Sequence, residues 1–324
     1  MRRQSQRHRQ QQRGVAASAA PWHDLEDGLR YRLGADPVSG TETIEIEHAA
    51  AYANGGTGPS AAVILTHGLG DSARGWASAA LQLCTELPWT RWVLPSAPNS
   101  PVTLNGGMSM PSWYDIAGLT DRAAETCGGI EDSHATMLRL AGAELEALCD
   151  FTSISPPVPS HLTPFNSTLT LYYSFCSIFS SLLRHVTHRQ ETAPGTATPR
   201  LVMAGFSQGG AMSLYTALRW PEADAALPPP AGVLCMSGYL PLPFTSAEDL
   251  SGLDALRDLP VLLCHGDADP MVRPEWSSAT YEKLDELGCS NVDHRWFKGL
   301  EHSVSEEELQ VAAAWLTEVI PPLE

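Results

Sequence analysis

The chain has 324 residues, 43% of them hydrophobic and 18% charged, which is enough apolar material for a large core and too little charge for a disordered protein. Lys and Arg total 20 against 37 Asp and Glu, a formal charge of -17, and five of the basic residues are Arg2, Arg3, Arg7, Arg9 and Arg13, so the remainder is more acidic still. Such a body repels phosphate backbones and anionic headgroups, which argues against nucleic-acid binding and confines any membrane contact to a transient, local patch.

Length leaves two medium domains or one α/β domain with additions open. The seven cysteines are odd in number, widely spaced and free of any CxxC pair, which argues against a disulfide framework or a zinc site and fits a reducing, cytoplasmic compartment. No apolar run reaches the roughly 18 residues that span a bilayer; the nearest, residues 171–183, is 13 long and holds four serines.

Residues 1–22 are rich in Arg, Gln, Ser and Ala and contain no acid. They read as a disordered tail or an organellar transit peptide, and with a short margin residues 1–25 are set apart from a domain over 26–324. Residues 41–48, TETIEIEH, alternate as a half-buried strand does, and AAVILTHG at 61–68 is a continuous apolar run ending in glycine. Runs of that second kind recur at 92–98, 201–207, 232–238 and 261–267, as buried parallel strands do. Between them, 131–149, 208–220 and 274–287 carry helical spacing. Ser305 and Glu308 have capping-box spacing before an apolar face of Leu309, Ala312, Ala313, Leu316 and Ile320. Strands alternating with helices predict an α/β fold, a mainly parallel sheet covered on both faces.

Residues 151–198 break this rhythm, with Pro, Ser and Thr at both ends and an apolar Tyr/Phe/Ser middle. Connections in compact α/β domains are usually a few residues long, so this is an insertion. It reads either as a lid over an acyl pocket or as a disordered or non-coding-derived insert.

Gly205-Phe206-Ser207-Gln208-Gly209 is a GxSxG pentapeptide set directly after a strand-like run and before a helix-like one. A serine there sits on a sharp strand-to-helix turn, where side chains larger than glycine two positions either side collide with backbone. The N–H of Gln208, at the helix start, points to an oxygen that becomes negative during attack. A serine needs a base, and the base an orienting carboxylate. VLLCHGDADP supplies Asp267 and Asp269, and GLEHS supplies His302, in the order Ser, Asp, His. Asp269 is preferred because it precedes Pro270, which biases it to extended backbone leading out of the strand end. Asp267 fits a turn aspartate bonding backbone amides. His67 and His265, beside glycines at strand ends, read as structural histidines. The second oxyanion donor is expected from His67-Gly68-Leu69-Gly70-Asp71, pointing to the N–H of Leu69. No third glycine or Lys-Ser/Thr follows, which removes a phosphate-loop reading.

HGLGDSARGW, SAPNSPVTLNGGMSMPSWYDI, GFSQGGAMSLYTAL, SGYLPL, HGDADPMV and the late EHS, in this order, resemble the acyl-protein thioesterase branch of the α/β-hydrolases, which includes carboxylesterase and lysophospholipase relatives. The resemblance covers roughly 41–149 and 199–320. It implies the α/β-hydrolase fold, with nucleophile, acid and base on Ser207, Asp269 and His302 and oxyanion amides on Leu69 and Gln208. It also implies an apolar acyl groove involving Leu69, Leu240 and Met271, while Trp113 packs as core. The basic tail and the 151–198 insertion depart from the family pattern.

The expected reaction is two-step acyl transfer without metal or organic cofactor. A thiol, with a pKa near 8.5, leaves far more easily than an alcohol, so this triad serves thioesters and oxygen esters alike. The resemblance favours fatty acyl groups, palmitoyl above all, on S-acylated proteins, ahead of lysophospholipids and small esters. A reading of another class is a non-catalytic binding protein on a hydrolase scaffold with its site covered by the insertion. The groove also offers a surface for a homodimer.

Overall fold

The computed structural model describes residues 20–118, 126–152, 200–220, 227–241 and 257–323. Residues 1–19 of the expected 1–25 tail and all of the insertion except its first two residues lie outside the described residues. The end of that tail belongs to the fold instead, since His23 and Asp24 pair antiparallel with Tyr31 and Arg30 of the main sheet, which moves the domain's start ahead of residue 26.

Eleven described strands are β1 (His23–Asp24), β2 (Leu29–Ala35), β3 (Glu42–His48), β4 (Ala61–Thr66), β5 (Thr90–Pro95), β6 (Asn99–Val102), β7 (Met108–Pro111), β8 (Arg200–Phe206), β9 (Gly232–Met236), β10 (Val261–Gly266) and β11 (Val292–Phe297). Five described α-helices are α1 (Ala73–Glu86), α2 (Ile130–Thr152), α3 (Gln208–Leu218), α4 (Pro274–Glu286) and α5 (Glu306–Val319). Nine strands form one sheet in the order β1-β2-β3-β5-β4-β8-β9-β10-β11, and β6 and β7 form a separate hairpin. From β5 to β11 every neighbouring pair in the large sheet is parallel, while β1, β2 and β3 extend it antiparallel. This is the mainly parallel α/β sheet expected from the alternation of elements, and the α/β-hydrolase fold that the resemblance implies.

β4, β5, β9 and β10 are buried at every residue, because the sheet is covered on both faces and neither set of alternating side chains meets water. One apolar cluster, containing Met137, Leu145, Met212, Leu214 and Leu284, packs α2, α3 and α4 on one face. A second, containing Leu83, Cys84, Leu309 and Leu316, packs α1 and α5 on the other. No helix among the described residues is long and apolar enough to cross a membrane.

The capping-box expectation at α5 holds on one side. Ser305 Oγ accepts the Glu308 N–H at 3.1 Å. The Glu308 carboxyl is fully buried and feels the Ser305 N–H, yet it closes no hydrogen bond and leaves both oxygens without a partner. A carboxyl drawn into the core by the apolar face of α5 cannot also swing back over the helix start.

Candidate active site

The C-terminal ends of β4, β8, β10 and β11 converge on one point. β8 runs into α3 through Ser207, whose backbone has φ 54 and ψ -121, a strained conformation that persists because its surroundings over-determine it. Its N–H is held by the Met236 carbonyl at 2.8 Å. The flanking glycines are required sterically: a Cβ on Gly205 would strike the Gly209 backbone and Thr66 Oγ1, and one on Gly209 would strike the Thr66 carbonyl. Thr66 Oγ1 lies 2.9 Å from the carbonyls of both Ala204 and Gly209 and 3.1 Å from Ser213 Oγ, tying the turn to β4.

The structure brings Ser207, His302 and Asp269 together. Ser207 Oγ is 2.9 Å from His302 Nε2, and His302 Nδ1 is 2.7 Å from Asp269 Oδ2. Asp269 is 3% exposed, and its other oxygen accepts the N–H groups of Met271 at 2.8 Å and Val272 at 2.9 Å. Burial alone would raise the Asp269 pKa, but His302 and the two amides outweigh it and hold the carboxyl below its usual range. The His302 ring packs against Phe206, centroids 4.9 Å apart, which limits its swing. Asp267 takes a different position: its Oδ1 accepts the Gly299 N–H at 2.5 Å, bracing the loop that leads to His302.

Two amides border the serine. Among the described residues the N–H groups of Leu69 and Gln208 have no acceptor, an expensive arrangement unless something occupies the space before them. Gly68 lies against the Ser207 side chain. The Gln208 side chain is buried and clamps the 112–114 segment, donating to the Tyr114 carbonyl at 2.7 Å and accepting the Trp113 N–H at 3.0 Å. Trp113 is buried in the core and its indole N–H donates to the His67 carbonyl at 2.8 Å. His67 and His265 both bond backbone carbonyls, of Gly68 and Val272, as strand-end structural histidines do.

A cavity of about 330 Å³ opens over Ser207, Gln208 and His302, and its apolar wall includes Leu69, Leu104, Met110, Tyr239 and Met271. Leu69 and Met271 thus stand where a groove was expected, with Met271 48% exposed at its rim. Leu240 does not. It is buried in the core with its N–H donating to Thr280 Oγ1 at 2.8 Å, and its neighbour Tyr239 takes the cavity wall. The family resemblance alone implies Leu240 there; in the structure the chain after β9 turns through Ser237, left-handed at φ 48, and it is Tyr239 that faces the cavity. Leu104 and Met110 belong to the SAPNSPVTLNGGMSMPSWYDI motif, but nothing in the sequence shows that the hairpin folds over the serine.

The family model for phospholipases and carboxylesterases matches residues 48–156 and 177–320. Acyl-protein thioesterase 1 of Neurospora crassa is 33% identical over 264 residues, 81% of this chain and 88% of the relative. Acyl-protein thioesterase 1 of Mycosarcoma maydis is 34% identical over 272 residues, 82% of this chain and 94% of the relative. Among solved structures, Zea mays acyl-protein thioesterase 2 superposes with a TM-score of 0.56 at 25% identity, covering 81% of this chain and 94% of that one.

Proposed function

The chain belongs to the phospholipase/carboxylesterase family and is a serine hydrolase, and on that premise we propose that it removes fatty acyl groups, palmitoyl foremost, from S-acylated proteins. The observation that carries the reading is the continuous Ser207, His302 and Asp269 hydrogen-bond chain, with distances of 2.9 and 2.7 Å, beside the Leu69 and Gln208 amides, which have no acceptor among the described residues.

Ser207 Oγ attacks the acyl carbonyl while His302 Nε2 takes its proton. Asp269 fixes the His302 tautomer with Nδ1 protonated and stabilises the imidazolium that forms. The carbonyl oxygen, now negative, lies between the N–H groups of Leu69 and Gln208, each worth about 3 kcal/mol of barrier lowering in comparable hydrolases. The tetrahedral intermediate collapses with loss of the thiol or alcohol, and the proton on His302 passes to the departing sulfur or oxygen, which returns the ring to its neutral, basic form. Water then repeats the sequence on the acyl-serine and returns Ser207. The apolar wall of Leu69, Leu104, Tyr239 and Met271 receives the acyl chain, and burial of each methylene favours binding by about 0.8 kcal/mol.

Fluorophosphonate treatment followed by intact-mass measurement tests the site. One adduct is expected, absent in Ser207→Ala; a folded protein with no adduct overturns the mechanism. Hydrolysis of an S-palmitoylated peptide compared with a short oxygen ester then tests the substrate class, and a preference for the short ester overturns the protein-thioesterase reading while leaving the hydrolase intact.

A further inference from the structure

β11 ends the described sheet, pairing on one side with β10. The Asn291 carbonyl accepts the Val261 N–H and the Phe297 carbonyl accepts the Asp267 N–H, at 2.9 and 3.1 Å. With the alternation of a strand, the odd-numbered residues of β11 therefore direct their backbone groups toward β10. The even-numbered Val292, His294 and Trp296 direct theirs outward, away from the sheet.

The side chains along this edge are not those of a blunted edge alone. Arg295 and Asp293, both well exposed, pair with each other at 2.7 Å on the α5 side, where Glu318 also acts on Arg295. On the α4 side Tyr281, His294 and Trp296 form a continuous stack, with centroid separations of 5.4 and 4.5 Å, and Ser277 Oγ lies 2.9 Å from His294 Nε2. Trp296 is 42% exposed and Tyr281 40%. An exposed edge carrying an aromatic stack invites another strand.

We propose that β11 pairs antiparallel with β11 of a second copy of this chain, about a two-fold axis at His294, and continues the sheet across a homodimer. The register follows from electrostatics. Two-fold antiparallel pairing of these outward groups can centre on residue 293, 294 or 295 with near-full overlap. Centring on 293 sets Asp293 against Asp293 of the second copy, and centring on 295 sets Arg295 against Arg295; like charges directly opposite destabilise a sheet. Centring on 294 sets each Asp293 against an Arg295, in the pair type whose side chains approach most closely. The same register brings Val292 of one copy against Trp296 of the other and sets the two His294 rings side by side. Because the strands run oppositely, the two serine sites open on opposite ends of the joined sheet, clear of the interface. Closed two-fold symmetry ends the assembly at two.

Sedimentation velocity of the full chain over micromolar concentrations, with circular dichroism as the control for folding, tests this. The wild type should show a dimer. Asp293→Arg, which places Arg opposite Arg295, should weaken it at least tenfold, and the double variant Asp293→Arg with Arg295→Asp should restore it. On mild oxidation His294→Cys should cross-link to a dimer beyond the wild-type background, since only the residue on the axis meets itself, whereas Val292→Cys and Trp296→Cys should not. A wild type that stays monomeric, or a dimer indifferent to the charge reversal and equally cross-linked from 292 and 296, overturns the proposal. Hydrolysis of a short ester by the charge variants should match the wild type.

Discussion

His67 Nδ1 lies 2.7 Å from the Gly68 carbonyl oxygen, and Nε2 of the same ring accepts the Ala97 N–H at 2.9 Å. An acceptor at Nε2 leaves the proton on Nδ1, so one tautomer fits. Burial holds the His67 pKa below its usual value, against the opposing pull of the Gly68 carbonyl and Asp71, and the ring stays neutral. In a trans peptide the carbonyl and the following N–H point in opposite directions. By holding the Gly68 oxygen, which also accepts the Asp71 N–H at 3.2 Å, His67 helps aim the Leu69 N–H away from itself, on the side of the chain where Gly68 meets Ser207.

Two substitutions separate the halves of that ring. Asn at 67 retains a donor near Nδ1 for the Gly68 carbonyl, and Gln retains an acceptor near Nε2 for the Ala97 N–H. His67→Asn leaves the buried Ala97 N–H without its acceptor and should cost about 1–3 kcal/mol of stability, whereas in His67→Gln the Gly68 carbonyl keeps the Asp71 N–H at 3.2 Å and the loss should be smaller. Catalysis should split: His67→Gln loses about 10- to 100-fold in kcat with KM little changed, since a misaimed oxyanion donor acts on the transition state, while His67→Asn stays within a few fold. Steady-state ester hydrolysis with thermal denaturation measures both, and equal kcat losses would show that the ring only fills space.

Asp269 gives a second test. Its replacement by Asn keeps an acceptor for the Met271 and Val272 amides but presents an amide to His302 and favours the wrong tautomer. A fall in kcat of about 10³- to 10⁴-fold is expected, by comparison with the same change in a well-studied serine protease, with the fold retained by circular dichroism. Because the folded-state pKa of Asp269 is depressed, its carboxylate stabilises the native state above the ordinary carboxylate range, and that contribution is lost as pH falls through the depressed value. Urea titrations between pH 3 and 7 should accordingly show a shallower acid loss in Asp269→Asn than in the wild type.

Gly209→Ala should be more damaging than an ordinary helix substitution. Alanine normally favours a helix over glycine by about 1 kcal/mol, yet here the added methyl meets the Thr66 carbonyl of β4. The turn must open and carry Ser207 off its place. Loss of fluorophosphonate labelling together with a stability loss of roughly 3 kcal/mol, near the upper range for overpacking, is expected. Full labelling at wild-type stability would mean that the elbow tolerates a side chain there.

What could be read from the sequence tracks burial on both faces. β4, β8, β9 and β10 announce themselves as apolar runs because two layers of helices cover them, and the serine, acid and base fall at the strand ends and loops where such runs stop. Elements whose stabilising partners are remote are silent. β2 reads LRYRLGA, and its arginines make sense beside β3, where Arg30 and Arg32 pair with Glu47 and Glu45. α1 escapes notice since much of its surface is Ala, Ser and Gly, and β11 since an edge strand carries charge. The exchange of Leu240 for Tyr239 has another origin: Leu240 is implied by the family resemblance and by no pattern in this sequence, and the left-handed backbone of Ser237 that precedes it leaves no mark in the residue types.

The Glu308 carboxyl supplies a prediction of opposite sign to that of Asp269. Burial, opposed by the Ser305 N–H, raises its pKa to about 7 from an ordinary value of 4.5, because both oxygens are fully enclosed without a hydrogen-bond partner. A raised carboxyl pKa means that the folded state holds a proton the unfolded chain releases. The associated stability is complete below the unfolded value and is lost as pH rises through about 7. Glu308→Gln cannot ionise and keeps the Ser305 cap, which uses the backbone N–H of residue 308. Relative to this variant, the wild type should lose about 3 kcal/mol of unfolding free energy between pH 4 and pH 9, the order of magnitude set by 1.36 kcal/mol per pKa unit. Denaturant titrations of the two proteins across that range measure the difference directly. Parallel pH profiles would show that the carboxyl ionises in the folded protein as readily as in water, and that the enclosed site at the start of α5 is hydrated.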